Sequence, residues 1–464
     1  MEQPRIIQGG LETMVATWPL ARAVARAGQL GVVAGALLPV IMARRLQLGD
    51  PGGHLRRAFG QFPFPAVARR VWKHWFVPGG KPEPEPFAPL RPPLLEEDPE
   101  LAELAVLAGF TEVFLAREGH DGPVGVHFHP SAELPLLPTM YGALLAMTPY
   151  LLIHHRHAPT VLEQMEALLL GKITGWNLPV ADADSGEAPA CCFNPARLTA
   201  KPPPPLPPPH VLIVGPSARA LTAARAETAG RRVAGFIWHP EPPTDFPEAE
   251  ELAALRALER PFWLAGLPPT PAQLRAARRA GAAGLVVGTP FYYCAESELA
   301  PEWKRRVFAR LAPPPETASP AVPARLEVEF MASPTGFSVP VVQLAGTAAD
   351  PEQYAQRERI CDVGFLRQLY RRRDGSVGYR CPGENLADHV AKGGDLRGSV
   401  TQHCMCNGLL AALGLAQRRP GFGGELPLLP AGEDLSVLEQ FRSAADASFA
   451  AADVVARLLG KPSR

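Results

Sequence analysis

Residues 261–294 read PFWLAGLPPTPAQLRAARRAGAAGLVVGTPFYYC. An apolar run at 262–265 ends at Gly266, a helical stretch follows, and a second apolar run at 284–287 ends at Gly288-Thr289. Strand, helix and strand in that order make a parallel crossover unit. Two strands that each end in glycine leave bare backbone N–H groups at one edge of a parallel sheet, where a phosphate can approach closely. In a barrel of eight alternating strands and helices, the loops after strands seven and eight are the usual phosphate site. The stretch therefore reads as the closing pair of such a barrel, and the other units are placed by counting back from it.

Residues 5–10 (RIIQGG) form a first strand ending in two glycines, with a helix over 19–27. Residues 29–35 (QLGVVAG) form a second strand, with its helix over 37–48. From about 49 to 122 the pattern breaks around Pro63, Pro65 and the group Trp72, Trp75 and Phe76, and it resumes in a helix over 97–108. A structureless loop of that length is improbable, so this is an insertion that packs on the barrel or on a partner. Strands three and four are 123–129 (PVGVHFH) and 150–155 (YLLIHH), with helices over 137–147 and 161–170. After a weakly patterned stretch at 174–201, strand five is 210–215 (HVLIVG) and strand six is 233–239 (VAGFIWH). Helices over 218–230, 248–258 and 301–311 complete an α/β chain of the (β/α)8 TIM-barrel class. The barrel spans residues 1–312, with the insertion after strand two. A Pro-rich linker at 313–324 leads to an α-rich, cysteine-containing extension at 325–464.

The 464 residues carry 46 basic and 46 acidic side chains, so no net field points to nucleic acid or to an anionic membrane. The longest apolar stretch, 28–42, is shorter than the roughly 20 residues a bilayer requires and contains Gly35 and Pro39. With no secretory pattern at the start, the expected compartment is the cytoplasm. Seven cysteines there read as thiols or metal ligands before disulfides. The expected partners are a small-molecule substrate and a protein partner or a second copy of the chain.

The segments Ile6-Ile7-Gln8-Gly9-Gly10, Ala25-Arg26-Ala27-Gly28-Gln29-Leu30-Gly31, Pro261-Phe262-Trp263-Leu264-Ala265-Gly266 and Val287-Gly288-Thr289 together resemble the FMN-dependent nitronate monooxygenases, or 2-nitropropane dioxygenase-like barrels. The segments 114–122 (FLAREGHDG) and 333–337 (SPTGF), with the cysteine-bearing tail, resemble the long bacterial members. The resemblance implies FMN held by the strand ends, here Gly9, Gly10, Gly266, Gly288 and Thr289. It also implies a rim base that takes a proton from the carbon beside a nitro group.

The rim departs from that pattern. The family's sixth strand resembles E-G-x-x-x-G-G-H, whose histidine is the base, whereas here the chain runs His239-Pro240-Glu241-Pro242-Pro243-Thr244-Asp245. The turn after strand one is Gly9-Gly10-Leu11-Glu12, strand three carries His127, and strand four ends in His154-His155-Arg156. Strand five ends in Gly215-Pro216, and Leu267-Pro268-Pro269 follows strand seven, where proline has no N–H to donate. Six of eight strand ends depart together, which predicts an eroded FMN and base site, its mouth filled with imidazole and pyrrolidine rings, and lost or weakened oxidoreductase activity. An active FMN-dependent nitronate monooxygenase or enoyl-reductase-type enzyme would need a displaced base, His239 or His120.

Two clusters stand outside the resemblance. His127, His129, His154, His155, His157 and His239 fall at strand ends, and His127-x-His129 presents two rings to one side of a strand. They either fill a vacated cofactor cavity or, through His127, His129, His154 and His155, ligate a metal in a metal-dependent enzyme. Cys361, Cys381, Cys404 and Cys406 suit a zinc ion or an iron–sulfur cluster, or stand as buried thiols, and no C-x-x-C pair occurs among them.

Overall fold

A computed structural model of the chain describes residues 3–10, 14–129, 134–182, 188–199, 205–240, 245–311, 326–333, 335–336, 338–421, 423–432, 434–441 and 448–461. The Pro-rich linker and the rim residues 11–12 and 241–244 lie outside them. Eight strands form the barrel: β1 Ile6–Gln8, β2 Gly31–Ala34, β3 Val124–Phe128, β4 Tyr150–His154, β5 His210–Gly215, β6 Val233–Trp238, β7 Phe262–Leu264 and β8 Gly284–Val287. From β2 to β8 each pairs in parallel with the next, and β8 pairs in parallel with β1.

The ring closes between β1 and β2 through a parallel bridge, Ile7 to Leu30. Gln8 N–H donates to the Leu30 carbonyl at 2.9 Å, and Leu30 N–H donates to that of Ile6 at 3.1 Å. Two glutamine side chains staple this seam. Gln8, fully buried, accepts the Val32 N–H on Oε1 at 2.9 Å, and Gln29 Oε1 accepts the Ile6 N–H at 2.8 Å. Without these acceptors the short strand β1 would leave buried donors unpaired, at about 1–3 kcal/mol each.

Alternation along the strands sorts side chains into two cores. Ile7, Val32, Leu152, Leu212, Ile237 and Trp263 belong to a cluster enclosed by the strands, while Val33, Val126, Ile153, Ile213 and Phe236 pack outward under the helices. The Trp263 ring occupies space that Gly235 leaves, since a Cβ there would stand 2.9 Å from it. Gly284 opens β8 because β1 lies against it: a Cβ would meet the Arg5 carbonyl at 1.9 Å.

The surrounding helices are α1 Trp18–Arg26, α2 Leu38–Gln47, α3 Pro99–Arg117, α4 Leu136–Leu145, α5 Ala158–Leu169, α6 Ala218–Glu227, α7 Ala249–Arg256, α8 Pro271–Arg279 and α9 Pro301–Leu311. Asp98 caps α3 by accepting the Glu100 N–H at 2.9 Å, with Pro99 in its first turn. This helix runs nine residues beyond the expected end at 108. Gly109 does not break it; it admits α4, for a Cβ there would stand 2.1 Å from the Thr139 carbonyl. In the insertion, Trp72 stacks on Phe76 with centroids 4.1 Å apart and Trp75 is buried, so the aromatic group is packing.

The stretch expected to be weakly patterned holds an antiparallel pair, Thr174–Asn177 with Ala190–Phe193, and a short strand, Val180–Ala181. That short strand pairs in parallel with Gln368–Arg371 and ties the extension to the barrel. Besides short helices such as Met405–Ala412 and Ala451–Leu458, the extension contains antiparallel pairs, first Val328–Ala332 with Ser338–Val342, second Gln368–Arg371 with Val377–Arg380, and a short one, Arg418–Arg419 with Gly423–Gly424. The second turns at Asp374-Gly375, where Gly375 takes φ 82°. Among the described residues no helix is long and apolar enough to cross a membrane.

Candidate active site

A cavity of about 700 Å³ opens at the C-terminal ends of the strands. Its floor is the top of the inward-facing core, Val214, Ile237, Ala265 and Val286. Gly9 and Gly10 after β1, Gly266 after β7, and Gly288-Thr289 after β8 border it. Gly10 and Gly266 take φ values of 88° and 75°, so the backbone turns where a side chain would be strained. All five cofactor-binding candidates are thus brought to one cavity.

The extension builds the outer wall, which sequence reasoning missed. Pro340, Ala431, Gly432, Asp434 and Val437 line the cavity opposite the strand ends. Gly432 N–H donates to Thr289 Oγ1 at 2.7 Å, and the Ala431 N–H donates to the Pro340 carbonyl at 2.9 Å. A Cβ on Gly432 would fall 2.4 Å from the same hydroxyl, which is why this contact needs glycine. No local signal marks the pairing, since 143 residues separate the partners.

The imidazoles divide into two groups. His127, buried, and His239, partly exposed, both border the cavity. His239 is held by its backbone N–H, which donates to the Gly215 carbonyl at 2.8 Å. His129, His154 and His155 pack beside β3 and β4, away from the cavity lining. Ring centroids are 6.2 Å apart for His127 and His129, 6.2 Å for His129 and His154, and 4.4 Å for His154 and His155. Burial holds the His154 imidazole down to about 3, helped by the neighbouring His155 and His127, and burial with His127 and His154 beside it holds His129 well below its ordinary value. These rings are therefore neutral near pH 7, and the buried Nδ1 of His154 has no hydrogen-bond partner among the described residues. The expectation of a pocket filled with imidazole and pyrrolidine rings is corrected: the cavity stands open against Gly266 and Gly288, bordered by His127, His239, Pro268 and Pro269, while His129, His154 and His155 pack against one another beside it.

His120 is placed elsewhere. Its Nε2 pairs with the Ala116 carbonyl at 2.7 Å and its Nδ1 accepts the Gly122 N–H at 3.1 Å, which makes it a turn residue before β3 at the opposite end of the barrel. It is therefore remote from the cavity and is corrected as a base candidate. The metal readings are corrected as well. Among the described residues no three His, Cys, Asp or Glu side chains converge to hold a metal ion. His127 and His129 meet edge to face, and His154 packs tilted against its neighbours, an aromatic-type cluster with no common point. Cys361, Cys381, Cys404 and Cys406 do border one space, but it measures only about 10 Å³, and Cys361 and Cys381 hydrogen-bond to each other. Nothing supports the zinc or iron–sulfur reading.

No known family profile matches the chain, and no curated protein does. Among solved structures it is similar to nitroalkane oxidase from Streptomyces ansochromogenes, with 12% identity over 99% of this chain and 95% of that one and a TM-score of 0.41. It is also similar to the enoyl reductase domain of MlnA from Bacillus amyloliquefaciens, with 10% identity, coverage of 99% and 93%, and a TM-score of 0.42. FabK from Thermotoga maritima aligns at 14% identity over 77% and 76%, with a TM-score of 0.36. At such identities and scores these likenesses carry no statement about ligand or reaction, and the barrel rests on its own strand pairings.

Proposed function

We propose that this chain is a nitronate monooxygenase-like barrel that holds FMN in the cavity at its mouth, with a weakened grip on the phosphate and weakened proton abstraction. The observation that carries this reading is the cavity of about 700 Å³ bordered by Gly9, Gly10, Gly266 and Gly288. Cofactor pockets commonly measure about 300–1,000 Å³ with an apolar lining and a few polar groups, and Val214, Ile237, Ala265 and Val286 supply that lining here. Gly266, Gly288 and Thr289 would meet the phosphate through backbone N–H groups, and Gly9 and Gly10 would allow close approach at the ring end. When bound, FMN supplies an acceptor for a hydride or an electron pair.

Two features weaken the grip. Pro268 and Pro269 contribute no N–H groups, and the carboxylates of Asp245 and Asp434 border the same cavity, where they oppose an anion. No Lys or Arg appears among its described lining residues. Proton abstraction falls to His239, a partly exposed residue that borders the cavity and stands at the position of the family motif's glutamate, so it would act as a displaced base. The sequence Pro240-Glu241-Pro242-Pro243 after it replaces the glycines of that motif, so the base is differently carried.

The test is an FMN titration of the untagged full chain followed by turnover of propionate 3-nitronate. Saturable binding with slow turnover that His239→Ala removes is the expected result. Absence of saturable FMN binding would overturn the reading.

A further inference from the structure

Four cysteines border one small space in the extension, together with Arg367, His403 and Asn407. Three of them, Cys381, Cys404 and Cys406, are buried, and Cys361 is half-buried. Cys361 and Cys381 are joined sulfur to sulfur by a hydrogen bond. Cys381 is fixed from the other side as well, for its Sγ accepts the Gly383 N–H at 3.4 Å and its own N–H donates to Glu384 Oε1 at 3.1 Å. Cys404 accepts from Asn407 Nδ2 at 3.7 Å and lies against Gly383, where a Cβ would stand 3.2 Å from its sulfur. The arrangement has one half-buried cysteine, a second whose sulfur is in contact with it, and two more that are buried.

We propose that Cys361 and Cys381 are a peroxide-reactive thiol pair that closes to an intrachain disulfide. The chemistry favours Cys361 as the attacking sulfur. The S–H of Cys381 donates to it and the Arg367 guanidinium stands beside it, and both hold its thiol below the ordinary value. Burial pushes Cys404 up to about 11, so it stays protonated. The Cys361 thiolate attacks one oxygen of hydrogen peroxide, the O–O bond breaks, and the departing hydroxide takes a proton to leave as water. The sulfenic acid left on Cys361 is then attacked by Cys381, whose proton accompanies the leaving hydroxyl as a second water while the S–S bond forms. The two thiols lose two electrons in total, and the peroxide gains them. The bond would join the segment after Ile360 to the end of the hairpin strand Val377–Arg380, enclosing the 19 residues between the two cysteines.

Cys192 is the internal control, since it is exposed and has only buried Cys191 adjacent in sequence. If exposure alone governed reactivity, Cys192 would be oxidised first. The full chain is treated with one equivalent of hydrogen peroxide and digested without reduction, and its cross-linked peptides are sequenced by mass spectrometry. The expected product joins Cys361 to Cys381, with two hydrogens lost from the intact mass and Cys192 still alkylatable. Cys381→Ser should instead leave a sulfenic acid on Cys361 that dimedone traps. Cys404→Ser, which leaves both members of the pair, should give the same cross-link as the natural chain. A cross-link between Cys404 and Cys406, or oxidation of Cys192 ahead of Cys361, would overturn the proposal, as would a persistent Cys361 sulfenic acid in the natural chain.

Discussion

The two sides of the barrel mouth solve the same geometric problem in opposite ways. From β7 round to β1 the strand ends are glycine or small, and an open cavity lies over them, with His239 after β6 and His127 of β3 at its border. Beyond His127, the ends of β3 and β4 carry His129, His154 and His155, imidazoles packed against one another. The glycine side has traded side-chain contacts for space that a ligand can fill. The imidazole side has filled its space and has kept a buried nitrogen on His154 without a partner. A ligand site therefore persists where backbone is bare, and self-packing replaces it where polar rings accumulate.

The largest effect should come from adding bulk beneath the glycine side, at the opposite end of β8, where that strand opens against β1. Gly284→Val would drive a side chain into the Arg5 carbonyl, 1.9 Å from the position of a Cβ, and so part β8 from β1. We expect a loss of about 3 kcal/mol or more, read as a collapse of the urea midpoint. Survival of the barrel with natural stability would break the claim that this side is held by close backbone approach.

The imidazole side should respond to acid. His129 and His154 are held neutral by burial, so their folded values lie below the unfolded one of about 6.5. The unfolded chain then binds more protons as the pH falls, and stability present above about pH 6.5 is lost below it. One unit below that value each ring costs about 1.4 kcal/mol, roughly 3 kcal/mol for the pair. The thermal midpoint should therefore drop between pH 7.5 and 5.5, and a His129→Phe, His154→Leu variant should drop less. An unchanged pH slope in that variant would show that the titrating groups lie elsewhere.

At the seam between β1 and β2, Gln8→Ala should cost about 1–3 kcal/mol because it strands the buried Val32 N–H. Denaturant melts measure this directly, and a change within about 0.5 kcal/mol would remove the glutamine from the account of closure. The smallest effect should have the opposite sign. His154→Leu alone replaces an unpartnered buried nitrogen with apolar bulk and should stabilise by up to about 1 kcal/mol at pH 8.

Much of the glycine side was legible in the sequence. Runs such as HVLIVG and GLVVG announce buried parallel strands, and a glycine after each marks where backbone must turn or be approached. Histidine spacing likewise put the rings at the strand ends, but spacing alone does not say which face of the rim they block. That depends on packing between strands, and His129 and His154 chose one another over the cavity. Long-range partners left no trace either. Gly432 on Thr289 and the strand Val180–Ala181 on Gln368–Arg371 pair residues far apart in the chain. A buried ionic group, Arg45 with Glu112 and Glu298, draws on three separate segments. Each partner, taken singly, reads as an ordinary surface charge or turn residue.

The account turns on whether the space beside Ala265 is a flavin pocket, and tryptophan substitution there tests it most directly. FMN fluorescence is followed as the full chain is titrated into it, for the natural protein and for Ala265→Trp, with folding of both checked by circular dichroism. The natural chain should quench the flavin saturably at one FMN per chain, and the folded variant should bind at least about 100-fold more weakly, about 2.8 kcal/mol. Equal quenching by both proteins, or none by either, would contradict it.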